Sequence, residues 1–427
     1  LRCAQRGDIG AAHTARTDDG GCTLNFEAFI RPDIAAMKPY TSIMPFEVLS
    51  QRLNRAPADI VKLDANENPY GPSPRVRETL ANAAFLNIYP DPDNTFLREA
   101  LAKFTGMPKE RLFPGAGADE LIDLVLRATI TPGDVVINCP PSFGMYPFSA
   151  DVNAAQLIEV PRRADFSLDV TAIESAVRSQ PRAKVLFVCS PNNPDGSVIS
   201  DEDLRRLLAL PVLVVLDEAY VEFTANAHRM NSMAGNDKRD ESRSASLLQQ
   251  AFPYQPADSS AVGAAGHIHW TLDYPNLAVF RTFSKLAGLA GLRVGYGAFP
   301  EWLLPQLWKI KQPYNVNVAA TLAAIASLED IATLQTNLGK LIAERNRLSE
   351  ALSEINFLQP YASHSNFILC RVLDRDARQL KRQLEQQGIL VRYFDKPGLR
   401  DCIRISVGKP EHTEVLIEAL RTVTRDK

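Results

Sequence analysis

From residue 135 to residue 299 short, continuously apolar runs alternate with amphipathic ones, and this alternation narrows the choice of fold more than any other feature of the chain. The apolar runs are 135–139, 157–160, 184–189, 212–216, 277–281 and 294–299; helical patterns fall at 170–179 and 201–208. A strand that is apolar along its whole length is buried on both faces, as happens in parallel sheets covered by their own crossover helices. The expected class is therefore α/β with a largely parallel sheet, and ligands of such sheets bind beyond the carboxyl ends of the strands. At 427 residues and 45% hydrophobic content the chain can fill one large core and a second, smaller one.

Charge narrows the partners. With 47 basic and 50 acidic residues and a net charge of -3 there is no electrostatic footprint for nucleic acid or an anionic membrane, so small molecules are the expected partners. Cys3, Cys22, Cys139, Cys189, Cys370 and Cys402 show no C-x-x-C spacing and read as reduced thiols of a soluble intracellular protein. His267 and His269 are close but lie in an Ala/Gly-rich stretch without supporting ligands, so no metal site is expected. No apolar run reaches the length of a membrane span.

Residues 1–28 lack an apolar period and read as a disordered leader or the remnant of one; 29–75 read as an N-terminal arm. The stretch 62–72, Lys-Leu-Asp-Ala-Asn-Glu-Asn-Pro-Tyr-Gly-Pro, is too rich in turn formers for a helix or a central strand and suits an active-site rim. Residues 76–315 are expected to form the large domain. Within it Gly115-Ala116-Gly117-Ala118-Asp119-Glu120 opens a helix over 118–129, and such a start, with free backbone N–H groups beside small residues, is an anion site. Residues 224–275 break the pattern, and 231–269 read as a disordered insert. A long helical pattern over 318–354 leads into a smaller α+β domain, 316–427, with strand patterns at 366–372, 389–392 and 402–407 and helices at 377–387 and 412–424.

One loop carries the chemistry. Thr282-Phe283-Ser284-Lys285-Leu286-Ala287-Gly288-Leu289-Ala290-Gly291-Leu292-Arg293 lies between two of the strand patterns. A lysine that attacks a carbonyl must be deprotonated, which a partly desolvated pocket beside other cations favours. Arg293 with the hydroxyls of Thr282 and Ser284 could hold a phosphate near Lys285; the alternative is a surface lysine beside a small-residue packing turn. The loop resembles the pyridoxal-phosphate (PLP) lysine loop of fold-type-I aminotransferases. That cofactor needs an acid at its ring nitrogen, and Asp217, at the end of an apolar run, can face a ligand; a strand-end helix cap is the other reading. Tyr220, and Asn193 in Ser190-Pro191-Asn192-Asn193-Pro194-Asp195-Gly196, could serve the phenolic oxygen, although the Asn-Pro pair is also a simple turn signal.

Seven segments, 63–72, 89–92, 115–120, 190–196, 216–223, 281–297 and 404–408, occur in the order found in the histidinol-phosphate aminotransferase family, and the chain from about residue 29 onward resembles that family apart from the insert. Two passages, 190–196 and 288–300, look most like plant plastid members. The resemblance implies a homodimer of the fold-type-I PLP-dependent transferase class, acting on histidinol phosphate with 2-oxoglutarate or glutamate, in the plastid stroma of a eukaryote or otherwise in the cytoplasm. It implies Lys285 as cofactor lysine and proton carrier, Asp217 at the pyridine nitrogen, Asn193 and Tyr220 at the phenolic oxygen, and Phe143 stacked on the ring, where the family often has Tyr. It also implies Ala118, Asp119, Thr282, Ser284 and Arg293 around the phosphate, Tyr89 reaching it from the other subunit, and Tyr70, Arg392 and Arg404 receiving the substrate. Alternatives are an aromatic aminotransferase or a phosphothreonine-type decarboxylase on the same scaffold, or, in another class, a non-catalytic PLP-fold binding module. The intact Lys285 and the lack of a basic helix-turn-helix segment count against the last.

Overall fold

A computed structural model describes residues 14–16, 22–24, 26–39, 45–224 and 266–423. Strands β1 (Thr14–Arg16) and β2 (Cys22–Leu24) pair antiparallel inside the stretch expected to be disordered. The Asp19-Gly20 pair between them is a hairpin signal in the sequence. The short strand β3 (Val61–Leu63) follows, and then the main sheet begins.

Its strands are β4 (Leu112–Gly115), β5 (Val135–Asn138), β6 (Gln156–Glu159), β7 (Ala183–Cys189), β8 (Leu213–Asp217), β9 (Leu277–Thr282) and β10 (Gly295–Ala298), in the order β4-β10-β9-β8-β7-β5-β6. Neighbours from β9 through β6 are parallel. Alternate residues serve two separate cores: Val214 and Leu216 of β8 join one, Leu213 and Val215 the other, and each is at most 5% exposed. The continuous apolar pattern is therefore the signature of a strand covered on both sides. The helix Ala118–Thr129 supplies part of one cover through Leu121, Ile122, Leu124 and Val125.

Two features depart from the sequence reading of this sheet. Strand β10 runs antiparallel to β9 and β4, because the lysine loop that joins β9 to β10 holds one 3-10 turn, Ala290–Leu292, and no crossover helix of the kind parallel strands need. Strand β4 was not expected; Pro114 within it disguises an edge strand.

The second sheet contains β11 (Leu358–Pro360), β12 (Phe367–Val372), β13 (Ile389–Tyr393) and β14 (Cys402–Ser406), ordered β11-β12-β14-β13-β3. All pairs are antiparallel except β13 with β3. Part of the stretch expected as an N-terminal arm is thus built into the C-terminal sheet. The long helical region expected over 318–354 consists of two helices, Val318–Glu329 and Ile331–Ser353, bent by 81°. The break falls at Asp330, whose φ of -114° and ψ of 52° leave the helical region. The expected disordered insert, 231–269, overlaps described structure at its end: residues from Gly266 onward are ordered, and Ile268, 2% exposed, opens the 3-10 helix Ile268–Leu272. Residues 225–265 lie outside the described residues. No single helix among the described residues is long and apolar enough to cross a membrane.

Candidate active site

The carboxyl ends of β7, β8 and β9 converge on a cleft of about 1400 Å³ whose lining includes Phe143, Asn193, Tyr220, Lys285, Arg392 and Arg404. Six side chains chosen from the sequence thus share one cavity.

Lys285 sits in the bend after β9. The Asn68 amide donates to Leu286 O at 2.7 Å, and Gly288, at φ +68°, packs so closely that a Cβ there would lie 2.7 Å from the carbonyl carbon of Gly71. The glycine allows the backbone conformation and the approach together. Lys285 Nζ lies 3.5 Å from Ala65 O and 5.5 Å from the centroid of the Tyr220 ring. Burial, reinforced by the Arg404 guanidinium, lowers its pKa to about 8. About one molecule in ten then carries the neutral amine at pH 7, against fewer than about one in a thousand for an ordinary lysine. Labelling of Lys285 by a small amine-reactive reagent, followed by peptide mapping across pH, should reach half its maximal rate near pH 8. A half-maximum above about pH 10, the ordinary lysine range, would remove the desolvated-amine reading.

Asp217 ends β8 and is 3% exposed. Its Oδ1 accepts the Ala219 N–H at 3.0 Å, and its Oδ2 accepts the Tyr146 hydroxyl at 2.7 Å. Burial raises its pKa to about 6, while these two donors pull the other way. Tyr146 was missed in the sequence. It lies on the helix Met145–Val152, which Pro147 concealed, and is held by stacking on Phe187 with centroids 4.7 Å apart. Phe143 meets the Tyr146 ring edge-on at 5.6 Å.

Tyr220 is tied in place by another missed residue. Asn66, buried and at φ +56°, donates to the Tyr220 hydroxyl at 3.1 Å, while its backbone N–H donates to Ser406 Oγ at 2.8 Å. Its signal was the turn-rich stretch 62–72, since Asn tolerates the left-handed conformation better than most residues.

The residues expected around a phosphate come together where the lysine loop meets the start of the Ala118–Thr129 helix. Thr282 Oγ1 donates to Ser284 Oγ at 2.9 Å and accepts the Ser284 N–H at 3.1 Å. Arg293, at φ +53°, donates to Asp119 Oδ2 at 2.9 Å. Backbone crowding demands glycine at 295, where a Cβ would lie 2.8 Å from Arg281 O and 3.0 Å from Ala118 N, and a φ of +81° favours it at 117.

Arg404 is 4% exposed; it donates through Nη2 to Asp64 O at 2.8 Å and through Nη1 to Asn193 Oδ1. Arg392 is its cross-strand partner, and both guanidinium carbons lie near the Phe394 ring, at 5.5 and 5.4 Å from the centroid. Like charges opposite one another destabilise a sheet unless something anionic offsets them, and among the described residues Arg392 forms no ion pair.

Of the other expected residues, Asp217, Ala118, Asp119, Thr282, Ser284 and Arg293 are not among those lining this cleft, and neither are Tyr70 and Tyr89. Tyr70 packs under the ammonium groups of Lys340 and Lys409, at 5.1 and 5.8 Å. Tyr89 is 77% exposed and stacks on Tyr314 at 4.5 Å.

The family model Aminotransferase class I and II matches residues 58–420, which defines the class. A histidinol-phosphate aminotransferase, chloroplastic, of Nicotiana plumbaginifolia is 48% identical over 396 residues, covering 92% of this chain and 86% of its own length. The histidinol-phosphate aminotransferase of Roseiflexus castenholzii is 45% identical, covering 92% of this chain and 98% of that one. The crystal structure of histidinol-phosphate aminotransferase from Sinorhizobium meliloti in complex with pyridoxal-5'-phosphate aligns with a TM-score of 0.77 at 26% identity, over 93% of this chain and 98% of that chain. The chain belongs to the histidinol-phosphate aminotransferase family, and its cofactor is pyridoxal 5'-phosphate. The residues fit that group: an amine that titrates at about 8, a buried carboxylate at a strand end, and hydroxyls beside a glycine-lined helix start.

Proposed function

We propose that this chain moves an amino group between L-histidinol phosphate and 2-oxoglutarate, giving imidazole-acetol phosphate and glutamate in histidine biosynthesis. The observation that carries the reading is the pair Arg392 and Arg404, cross-strand partners flanking one phenyl ring at the cleft that holds Lys285. Two adjacent guanidinium forks suit a phosphate dianion, and the deeper one alone suits a carboxylate. The family's substrate supports the same assignment.

PLP, when bound, supplies a carbonyl and a ring that accepts electrons. In this reading Lys285 would offer its neutral amine to that carbonyl and would carry the proton at the substrate Cα. Asp217, oriented by Tyr146, would serve the ring nitrogen as a carboxylate. Tyr220 and Asn193 would bond the phenolic oxygen, Phe143 would cover the ring, and Arg293, Thr282, Ser284 and the Ala118 and Asp119 N–H groups would hold the phosphate. Asp119 pairs with Arg293 through its side chain, which leaves its backbone N–H for that role.

The partner in solution is proposed to be a second copy of the chain. Tyr89 lies in an exposed apolar run with Phe85, Leu86 and Ile88, 67%, 63% and 55% exposed, and contiguous exposed apolar surface of this kind marks an interface. Tyr89 and Tyr70 would then serve the neighbouring cleft. The chloroplastic relatives support a plastid location.

The experiment offers purified holoenzyme L-histidinol phosphate, free histidinol, phenylalanine and O-phosphothreonine in separate assays with 2-oxoglutarate. Glutamate formed preferentially from histidinol phosphate is expected. Equal turnover of phenylalanine, or release of carbon dioxide from O-phosphothreonine, would overturn the reading in favour of an aromatic aminotransferase or a decarboxylase.

A further inference from the structure

A buried charged cluster lies directly behind the cleft, and none of the roles above uses it. Glu218, the residue after Asp217, is 1% exposed, and both of its carboxylate oxygens are committed. Oε2 accepts from Nε and Nη2 of Arg281 at 2.9 and 2.7 Å. Oε1 accepts the backbone N–H of His267 and lies 3.2 Å from its Nδ1. The other ring nitrogen, Nε2, lies 3.1 Å from Asp201 Oδ1. A carboxylate oxygen only accepts, so a ring with a carboxylate at each nitrogen is satisfied in full only when both nitrogens carry protons. Burial opposes that cation, but Asp201 and Glu218 outweigh it and raise the His267 pKa to about 9.

The surroundings do not supply a substitute for it. Arg205, on the helix that begins with Asp201, stacks over Trp270 and interacts with Asp201. Glu222, after β8, is half-buried, and desolvation pushes its carboxyl up to about 7. Tyr296 on β10 and His269 both feel Arg281 more strongly than Glu218. His267 is therefore the side chain that offsets Glu218 on the side away from Arg281.

Position gives the cluster its meaning. Arg281 immediately precedes Thr282 in β9, Glu218 immediately follows Asp217 of β8, and the Glu218 N–H donates to Phe280 O at 2.8 Å. The ion pair thus joins the ends of the two strands that carry the site. The chain returning at Gly266 lies flat on this pair; a Cβ there would sit 2.1 Å from Arg281 Nη2 and 2.7 Å from Glu218 Oε2.

We propose that His267 is a positioning residue for the cofactor site: as an imidazolium bridging Asp201 and Glu218, it holds the Glu218–Arg281 pair and through it fixes Asp217 and Thr282 toward PLP. This rests on the roles proposed above for those two residues. His267→Gln keeps a hydrogen-bond donor and loses the charge. It should weaken PLP binding to the apoprotein, followed by visible absorbance titration, about tenfold, the scale of one charge-assisted hydrogen bond. Nuclear magnetic resonance of ring-labelled histidine in the wild-type holoenzyme should show His267 doubly protonated at pH 8.

A lower Tm with unchanged PLP affinity in His267→Gln would reduce the residue to a structural tether and overturn the proposal. A neutral His267 ring at pH 8 would overturn it even if the variant failed to fold. Asp217→Asn serves as the reference. Weakened PLP binding there, with none in His267→Gln, sinks this proposal alone, whereas unchanged binding in both sinks the assignment of Asp217 beneath it.

Discussion

Lys285→Ala should lower turnover by at least about 10⁴-fold, the upper range for a positioned proton-transfer group, while the protein still binds PLP without covalent attachment. The two losses separate because different atoms are involved. The amine is contributed by one side chain whose pKa burial has lowered to about 8, whereas the proposed anion cup is formed by other groups, Thr282, Ser284, Arg293 and the start of the Ala118–Thr129 helix. Borohydride treatment of the wild-type holoenzyme followed by peptide mapping should label Lys285. Labelling at any other lysine would remove it from the centre of the site.

The second large effect concerns the arginine pair. Lysine keeps the charge but loses the planar fork. Arg404→Lys should impair both half-reactions, because Arg404 also donates to Asp64 O and to Asn193 Oδ1 and so helps to hold Asn193 itself. Arg392→Lys should impair the histidinol-phosphate half-reaction selectively. A charge-assisted hydrogen bond is worth about 1.5–3 kcal/mol, which corresponds to roughly a ten- to hundredfold selective loss in kcat/KM. Single-turnover kinetics on each half-reaction distinguishes the outcomes. Equal losses with both substrates in Arg392→Lys would assign the pair to carboxylate binding alone.

What could be read in the sequence followed from local physics. The buried strands β5, β7, β8 and β9 were legible to within one residue at each end because burial on both faces makes them apolar throughout. Asp217 and Asn193 could be singled out because polar residues just beyond such runs lie where parallel strands deliver their ends, Asp217 directly after its run and Asn193 four residues after β7. Tyr146 was not: nothing local says that a tyrosine on a Pro-containing segment will reach an aspartate 71 residues further along. The bend at Asp330 escaped because Leu328 and Ile331 continue the apolar pattern across it. His267 was read, with His269, only as a close pair lacking metal ligands, since its partners, Asp201 and Glu218, come from other parts of the chain.

The placement of β3 bears on the order in which the protein can be made. β3 is finished early in synthesis, yet it pairs only with β13, and the loop after it closes contacts such as Asn66 with Ser406 across 340 residues. Loop-closure entropy grows slowly with length, so the finished contact is not expensive to keep. Its timing is another matter: while the ribosome is still translating the main sheet, the edge of β3 has no strand to accept its backbone hydrogen bonds, and such non-local pairing is slow. The five-stranded sheet, and with it the wall bearing Arg392 and Arg404, is therefore completed only when both ends of the polypeptide are present. A nascent chain released before β13 would have Lys285 but not the strands bearing Arg392 and Arg404, so β3 stays unpaired until translation has passed β13.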